Sequence, residues 1–115
     1  MVKLATKPIL REVHYLGELG LSEADIALGT GAGRSTVRAW LRGTRAPSGD
    51  RSRRLIELTA MVERLEGVID PDYIAIWMNK PVPALGDSKP IEMIGRGRYR
   101  AVAKVISGLE GQLAA

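Results

Sequence analysis

Seven arginines stand between residues 34 and 54, at positions 34, 38, 42, 45, 51, 53 and 54, against the single acid Asp50. A guanidinium forks onto the O6 and N7 of guanine or grips a phosphate oxygen, and a serine hydroxyl serves either. The run carries a local balance of +6 within a net charge of +4, whereas residues 55–115 hold seven basic and eight acidic residues, a balance of −1. Positive charge focused in this way favours a polyanion, with nucleic acid the first candidate. The plainer alternative is a solvated arginine-rich loop.

Other chemistries find little material. His14 is the one histidine, with no acid or second histidine at ligand spacing, so it reads as an ordinary helix residue. No nucleophile–base pair, carboxylate pair or metal-ligand cluster can be assembled. An enzyme is therefore the least expected class, and no catalytic residue, metal or cofactor is implied. There is no cysteine, which excludes disulfides and thiolate metal sites and points to the cytoplasm. The apolar runs fall far short of the roughly 18 residues of a membrane span. The opening MVKLATKPILREV lacks the apolar core of a secretion signal. No membrane association is expected.

The elements that must position the arginines come from SEADIALGTGAGRSTVRAWLRG, residues 22–43. Ser22 with Asp25 three residues on is an approximate capping box, opening a helix that is expected to end by Leu28. GTGAG at 29–33 lacks the preceding strand and the lysine of a phosphate-binding loop, and reads as a permissive turn. Gly31 suits a positive φ, and Gly33 the N-cap of a helix over 34–42 that stops at Gly43. Ala27 is small enough for a close helix crossing, and Val37 and Trp40, three apart, share a buried face. The pattern is that of a helix-turn-helix for DNA. Arg34, Ser35, Thr36, Arg38, Arg42 and Arg45 are its candidate DNA-binding residues.

The rest of the chain is read as helical too. Thr6 and Pro8 can open a first helix with Ile9, Val13 and Leu16 on one stripe, ending near Gly17 to Gly20. TRAPSGDRSRR at 44–54 has the Pro, Gly and Ser content of a loop whose arginines touch phosphate rather than bases. Leu55, Leu58, Val62, Leu65 and Ile69 alternate at spacings of 3 and 4, predicting a long amphipathic helix. Asp70 and Pro71 restart the chain into a helix with Ile74, Trp77 and Met78, and Trp77 is expected in the core. An irregular connector with Pro81, Pro83 and Pro90 follows. Ser88 is a candidate cap for a short helix over 90–94, and Tyr99, Val102, Ile106, Leu109 and Leu113 predict a last amphipathic helix. No strand alternation is sustained, so the fold class is all-α: a helix-turn-helix bundle over 1–54 with a basic loop, then a small helical domain over 55–115.

The segment WMNKPVPALGDSKPIEMI, 77–94, followed by Gly-Arg-Gly and an amphipathic helix, resembles the toxin-binding domain of the Xre/MbcA/ParS family of antitoxins. Trp77, Pro81, Pro83, Ala84, Leu85, Gly86, Pro90, Ile94 and Gly97 stand in the places of that pattern, and RLIEL at 54–58 fits its layout. The resemblance implies an Xre-like two-part antitoxin. Its first part would bind operator DNA and autorepress, and its second, 55–115, would dimerise and neutralise a RES-domain toxin that consumes NAD. A homodimer is also consistent with two apolar stripes longer than so small a unit needs to cover.

The toxin contact is expected at Arg96, Arg98, Tyr99 and Arg100, and at Leu113 near the C-terminus. A solvated helix face remains the other reading of that basic cluster. The competing function is a stand-alone helix-turn-helix repressor, which leaves the proline connector without a purpose.

Overall fold

Ser22 begins its helix by a reciprocal exchange: its hydroxyl accepts from the Asp25 N–H at 3.0 Å, and the Asp25 carboxylate accepts from the Ser22 N–H at 3.0 Å. The computed structural model describes residues 8–114, without the side chains of residues 8, 9 and 114. Within it lie seven helices and no sheet: α1 (Pro8–Glu18), α2 (Glu23–Thr30), α3 (Arg34–Arg42), α4 (Gly49–Glu66), α5 (Ile74–Met78), α6 (Pro90–Gly95) and α7 (Tyr99–Ala114). The capping position assigned to Thr6 and the side chain of Ile9 lie outside the described residues.

α2 runs two residues past the expected end at Leu28. Gly29 and Thr30 belong to the helix rather than to the turn, and each has a reason to be there. The Thr30 hydroxyl donates back to the Ile26 carbonyl at 2.7 Å and is buried. Gly29 lets α4 approach, since a Cβ at that position would lie 2.9 Å from a Leu58 methyl. The turn itself is Gly31, at φ +78, with its N–H donating to the Ala27 carbonyl. α3 then opens at Gly33 and closes at Gly43, at φ +77, as the spacing predicts.

α4 begins at Gly49, six residues ahead of the expected start at Leu55. The basic stretch 44–54 is therefore a loop only as far as Ser48. Gly49, at φ +57, turns the chain; beyond it nothing breaks a helix, and Asp50 favours the positive end of the dipole. At the other end α4 stops at Glu66, so Ile69 sits half-buried in the following turn and not on the helix. Leu55, Leu58, Met61, Val62 and Leu65 are buried, and α4 packs against α1, α2, α6 and α7.

Asp70 accepts from the Asp72 N–H at 2.8 Å and opens a single 3-10 turn, Pro71–Tyr73, that leads into α5. The connector is a closed loop, more ordered than expected. Val82 and Ser88 form an antiparallel bridge, with the Val82 N–H donating to the Ser88 carbonyl at 3.2 Å. Gly86 and Asp87 turn the loop at φ +66 and φ +65. Lys89, not Ser88, holds the N-cap position of α6, and no side chain caps it; the Ser88 backbone is committed to the bridge.

One buried cluster joins all of this. It runs from Val13 and Leu16 through Ile26, Val37 and Trp40 to Met78, Leu85, Ile94, Val102 and Ile106. Trp77 packs partly buried against it. Close approach of α6 to α2 depends on Gly95, where a Cβ would lie 2.1 Å from the Leu28 carbonyl oxygen. Arg64 ties α4 to α7, donating to both carboxylate oxygens of Glu110 at 2.6 and 3.1 Å and to the Ser107 hydroxyl at 2.9 Å.

Candidate nucleic-acid interface and partner surface

α3 is anchored by the full burial of Val37 and the near-full burial of Trp40. Its outer face is thereby set: Arg34, Ser35, Arg38 and Arg42 are exposed, and Thr36 is half-buried. Arg45 is exposed in the loop that follows. The Thr44 hydroxyl donates to the Ala39 carbonyl at 3.2 Å, which also accepts from the Thr44 N–H at 3.0 Å, so the end of the helix is closed.

Arg38 does not stand free. Its Nε and Nη2 donate to the two carboxylate oxygens of Glu23, on the first turn of α2, at 3.2 and 2.9 Å. The hydrogen bond from Arg38 holds the Glu23 carboxyl below the usual carboxylate range, and the charges of Arg38, Arg34 and Arg42 add to it. One carboxylate thus sits among three arginines of α3.

The arginines after Ser48 separate by role. Arg53 pairs with Asp50 at 2.8 Å, and Arg51 is exposed. Arg54 lies 3.5 Å from Glu57, is mostly covered, and spreads over Gly97, whose added Cβ would be 2.7 Å from its Nη2. Arg54 is a packing residue, although it belongs by sequence to the basic run.

The candidate toxin-contact residues do not form one patch. Arg96, Arg98 and Arg100 are exposed at the corner between α6 and α7, and Tyr99 is half-buried beside them. The Arg100 guanidinium lies 6.0 Å from the centre of the Tyr99 ring. Leu113 is 65% exposed. It stands 14 residues along α7 from Tyr99, which at 1.5 Å per residue is about 21 Å. The structure thus offers two separate places, a basic corner and an apolar helix end.

Sequence reasoning does not single out Glu23 or Asn79, and it finds Asp25 only as a capping residue of α2, not as a partner of Asn79. Asn79 Nδ2 donates to Asp25 Oδ1 at 3.0 Å, beside a shallow cleft of about 550 Å³ lined by Asp25, Ala75, Ile76, Asn79, Lys80 and Pro81. Ile76 is 57% exposed there. A signal was available for Ile76 alone, because placing Ile74, Trp77 and Met78 inward sends it outward. Among the described residues no group of three or more His, Cys, Asp or Glu is arranged to hold a metal, and no helix is long and apolar enough to cross a membrane.

A helix-turn-helix family model matches residues 15–63. The mycobacterial cidal antitoxins MbcA of Mycobacterium tuberculosis and Mycobacterium bovis are 29% identical over 91 residues, spanning 79% of this chain and 80% of theirs. A chain in the crystal structure of the M. tuberculosis MbcT–MbcA toxin–antitoxin complex superposes with a TM-score of 0.79 at 27% identity. The chain is a homologue of the antitoxin MbcA.

The match to that complex covers 92% of this MbcA homologue and 97% of the solved chain. The likeness therefore includes the connector, α6 and α7 as well as the helix-turn-helix. The helix-turn-helix match ends at residue 63, within α4. An MbcA-like antitoxin with a helix-turn-helix accounts for both the focused arginines and the proline connector.

Proposed function

We propose that this MbcA homologue neutralises a toxin of the RES-domain, NAD-consuming class and represses its own operon. In this reading residues 1–54 bind operator DNA through α3, and residues 55–115 dimerise and hold the toxin. The chain acts by binding and carries out no reaction itself. The observation that carries the proposal is near full-length likeness to a chain of a toxin–antitoxin complex.

The DNA half rests on the exposed face of α3. Arg34, Ser35 and Arg42 are free to meet a groove, with Thr36 at its margin and Arg45 placed for a flanking phosphate. The toxin half rests on the basic corner at Arg96, Arg98, Tyr99 and Arg100, and separately on Leu113 at the end of α7.

The test is co-expression of the full chain with the product of the adjacent reading frame. The expected result is a co-purifying complex, loss of the toxin's NAD consumption, and rescue of growth. A RES-type neighbour that neither co-purifies nor is neutralised would remove the antitoxin reading. The repressor half is tested by binding of the chain to the DNA upstream of its own gene. Absence of salt-sensitive binding there removes that half alone.

A further inference from the structure

The geometry between Glu23 and Arg38 is that of an arginine held by one edge. A guanidinium carries five N–H groups in one plane, arranged as a side edge of Nε with Nη2 and an end edge of Nη1 with Nη2. Glu23 occupies the side edge, with Nε to Oε2 at 3.2 Å and Nη2 to Oε1 at 2.9 Å. Among the described residues Arg38 makes no other hydrogen bond, and its side chain is 46% exposed. The end edge therefore points away from the carboxylate with its donors unspent. Two parallel donors of this kind can fork onto the O6 and N7 of a guanine, and with the side edge taken the end edge is the one left to do so.

We propose that Glu23 is the positioning residue of the DNA-reading face: it clamps Arg38 by its side edge and so presents the end edge to a guanine. The inference rests on the reading of α3 as the DNA-reading helix. A long flexible arginine surrenders rotamer freedom when it binds, and one already held surrenders less. The clamp does not serve mainly to hold the two helices together. α2 and α3 are already joined through buried Ile26, Val37 and Trp40, and an exposed ion pair adds little to that.

Glu23 also places a negative charge among Arg34, Arg38 and Arg42, which weakens attraction to phosphate. The two effects are separable. Removing the carboxylate would relax the choice of base while leaving or raising the affinity for DNA in general.

The experiment uses the full-length chain, with two duplexes of equal length: the DNA upstream of its own gene and the same bases scrambled. Wild type, Glu23→Gln, Arg38→Lys and the double variant are compared at fixed salt, with thermal melting of each. Gln keeps the size of Glu23, and the capping box of Ser22 and Asp25 is untouched. Lys keeps the charge of Arg38 without the two edges. Glu23→Gln is expected to lower the ratio of upstream to scrambled affinity on the order of ten-fold, with scrambled affinity equal or higher. Arg38→Lys should lower the ratio similarly, and the double variant no further.

A ratio that Glu23→Gln leaves unchanged overturns the proposal, even where affinity for both duplexes rises. That pattern would make Glu23 only a competitor for Arg38. A wild-type chain with no preference for its upstream DNA overturns the DNA-reading proposal and this one with it. A preference that survives Glu23→Gln overturns this one alone.

Discussion

Asn79, at the end of α5, donates to Asp25, in the first turn of α2, at 3.0 Å across 54 positions of sequence. The other Asp25 oxygen accepts from the Ser22 N–H at 3.0 Å, and Asn79 also donates to the Ala75 carbonyl at 3.0 Å. One carboxylate thus closes the start of the helix-turn-helix and anchors the point where the connector begins. The two parts of the chain meet through a specific polar tie as well as through a shared core.

That tie is measurable. Asp25→Ala loses both the cap and the link and should cost about 1–2 kcal/mol in denaturant unfolding. Asn79→Ala should cost about 1 kcal/mol. The double variant should cost less than the sum by at least roughly 0.5 kcal/mol, because the two side chains share one interaction. Strict additivity would show that the hydrogen bond carries no coupling.

The glycines at the crossing of α2 with α4 and α6 should differ in kind. Gly95→Ala places a methyl 2.1 Å from the Leu28 carbonyl oxygen, which is backbone and cannot give way. A loss of about 3 kcal/mol is expected on thermal or urea unfolding. Gly29→Ala meets the end of the Leu58 side chain at 2.9 Å and gains helix propensity, so a loss near 1 kcal/mol is expected. Equal costs at the two positions would contradict the close crossing of α6 over α2.

Arginines of the same basic run should answer differently to alanine. Under the proposed DNA reading, Arg34→Ala should weaken binding to upstream DNA by about 1–3 kcal/mol where it touches a base, with scrambled DNA little affected. Arg42→Ala should weaken both duplexes alike and reduce the salt slope by about 1. Arg54→Ala should leave the salt slope unchanged and lower the melting temperature, since Arg54 is covered and spread over Gly97. A salt-slope change for Arg54→Ala equal to that for Arg42→Ala would remove the distinction.

A pH effect is expected where α1 meets α4. Burial, then the charge of Glu63, pushes the Glu12 carboxyl above the usual carboxylate range. The Tyr15 phenol beside it, which donates to Glu66, is pushed up as well, by burial first and then by Glu66. A raised folded pKa means that the folded state holds its proton where the unfolded chain has lost it. Stability from this site is thus present below the unfolded carboxylate pKa and is lost as pH rises through the raised value.

Glu12→Gln should match wild type at about pH 4 and become more stable towards pH 7, by less than about 1 kcal/mol because the site is only partly buried and solvent screens it. A difference that shrinks with rising pH would reverse the sign and refute the assignment.

What the sequence determined alone lies within single helical turns. Ser22 with Asp25, Gly31, the span from Gly33 to Gly43, and Asp70 with Pro71 each act through a backbone group two to four residues away, so they are legible without a fold. The same holds for the inward face of Val37 and Trp40 and for the helical periodicity of α4 and α7. Local composition misled at 49–54, where turn residues at Pro47 to Gly49 hid a helix start whose value lies in the packing of α4.

What only the tertiary structure decided are the partners across helices. The Arg38–Glu23 clamp spans 15 residues and the Asn79–Asp25 tie 54; Gly95 matters because a carbonyl of α2 happens to lie beside it. Arg54 and Arg42 look alike in the chain, yet one covers Gly97 and the other faces solvent. Side-chain type sets what an arginine can do; the packing angle of the helix that carries it sets what it meets.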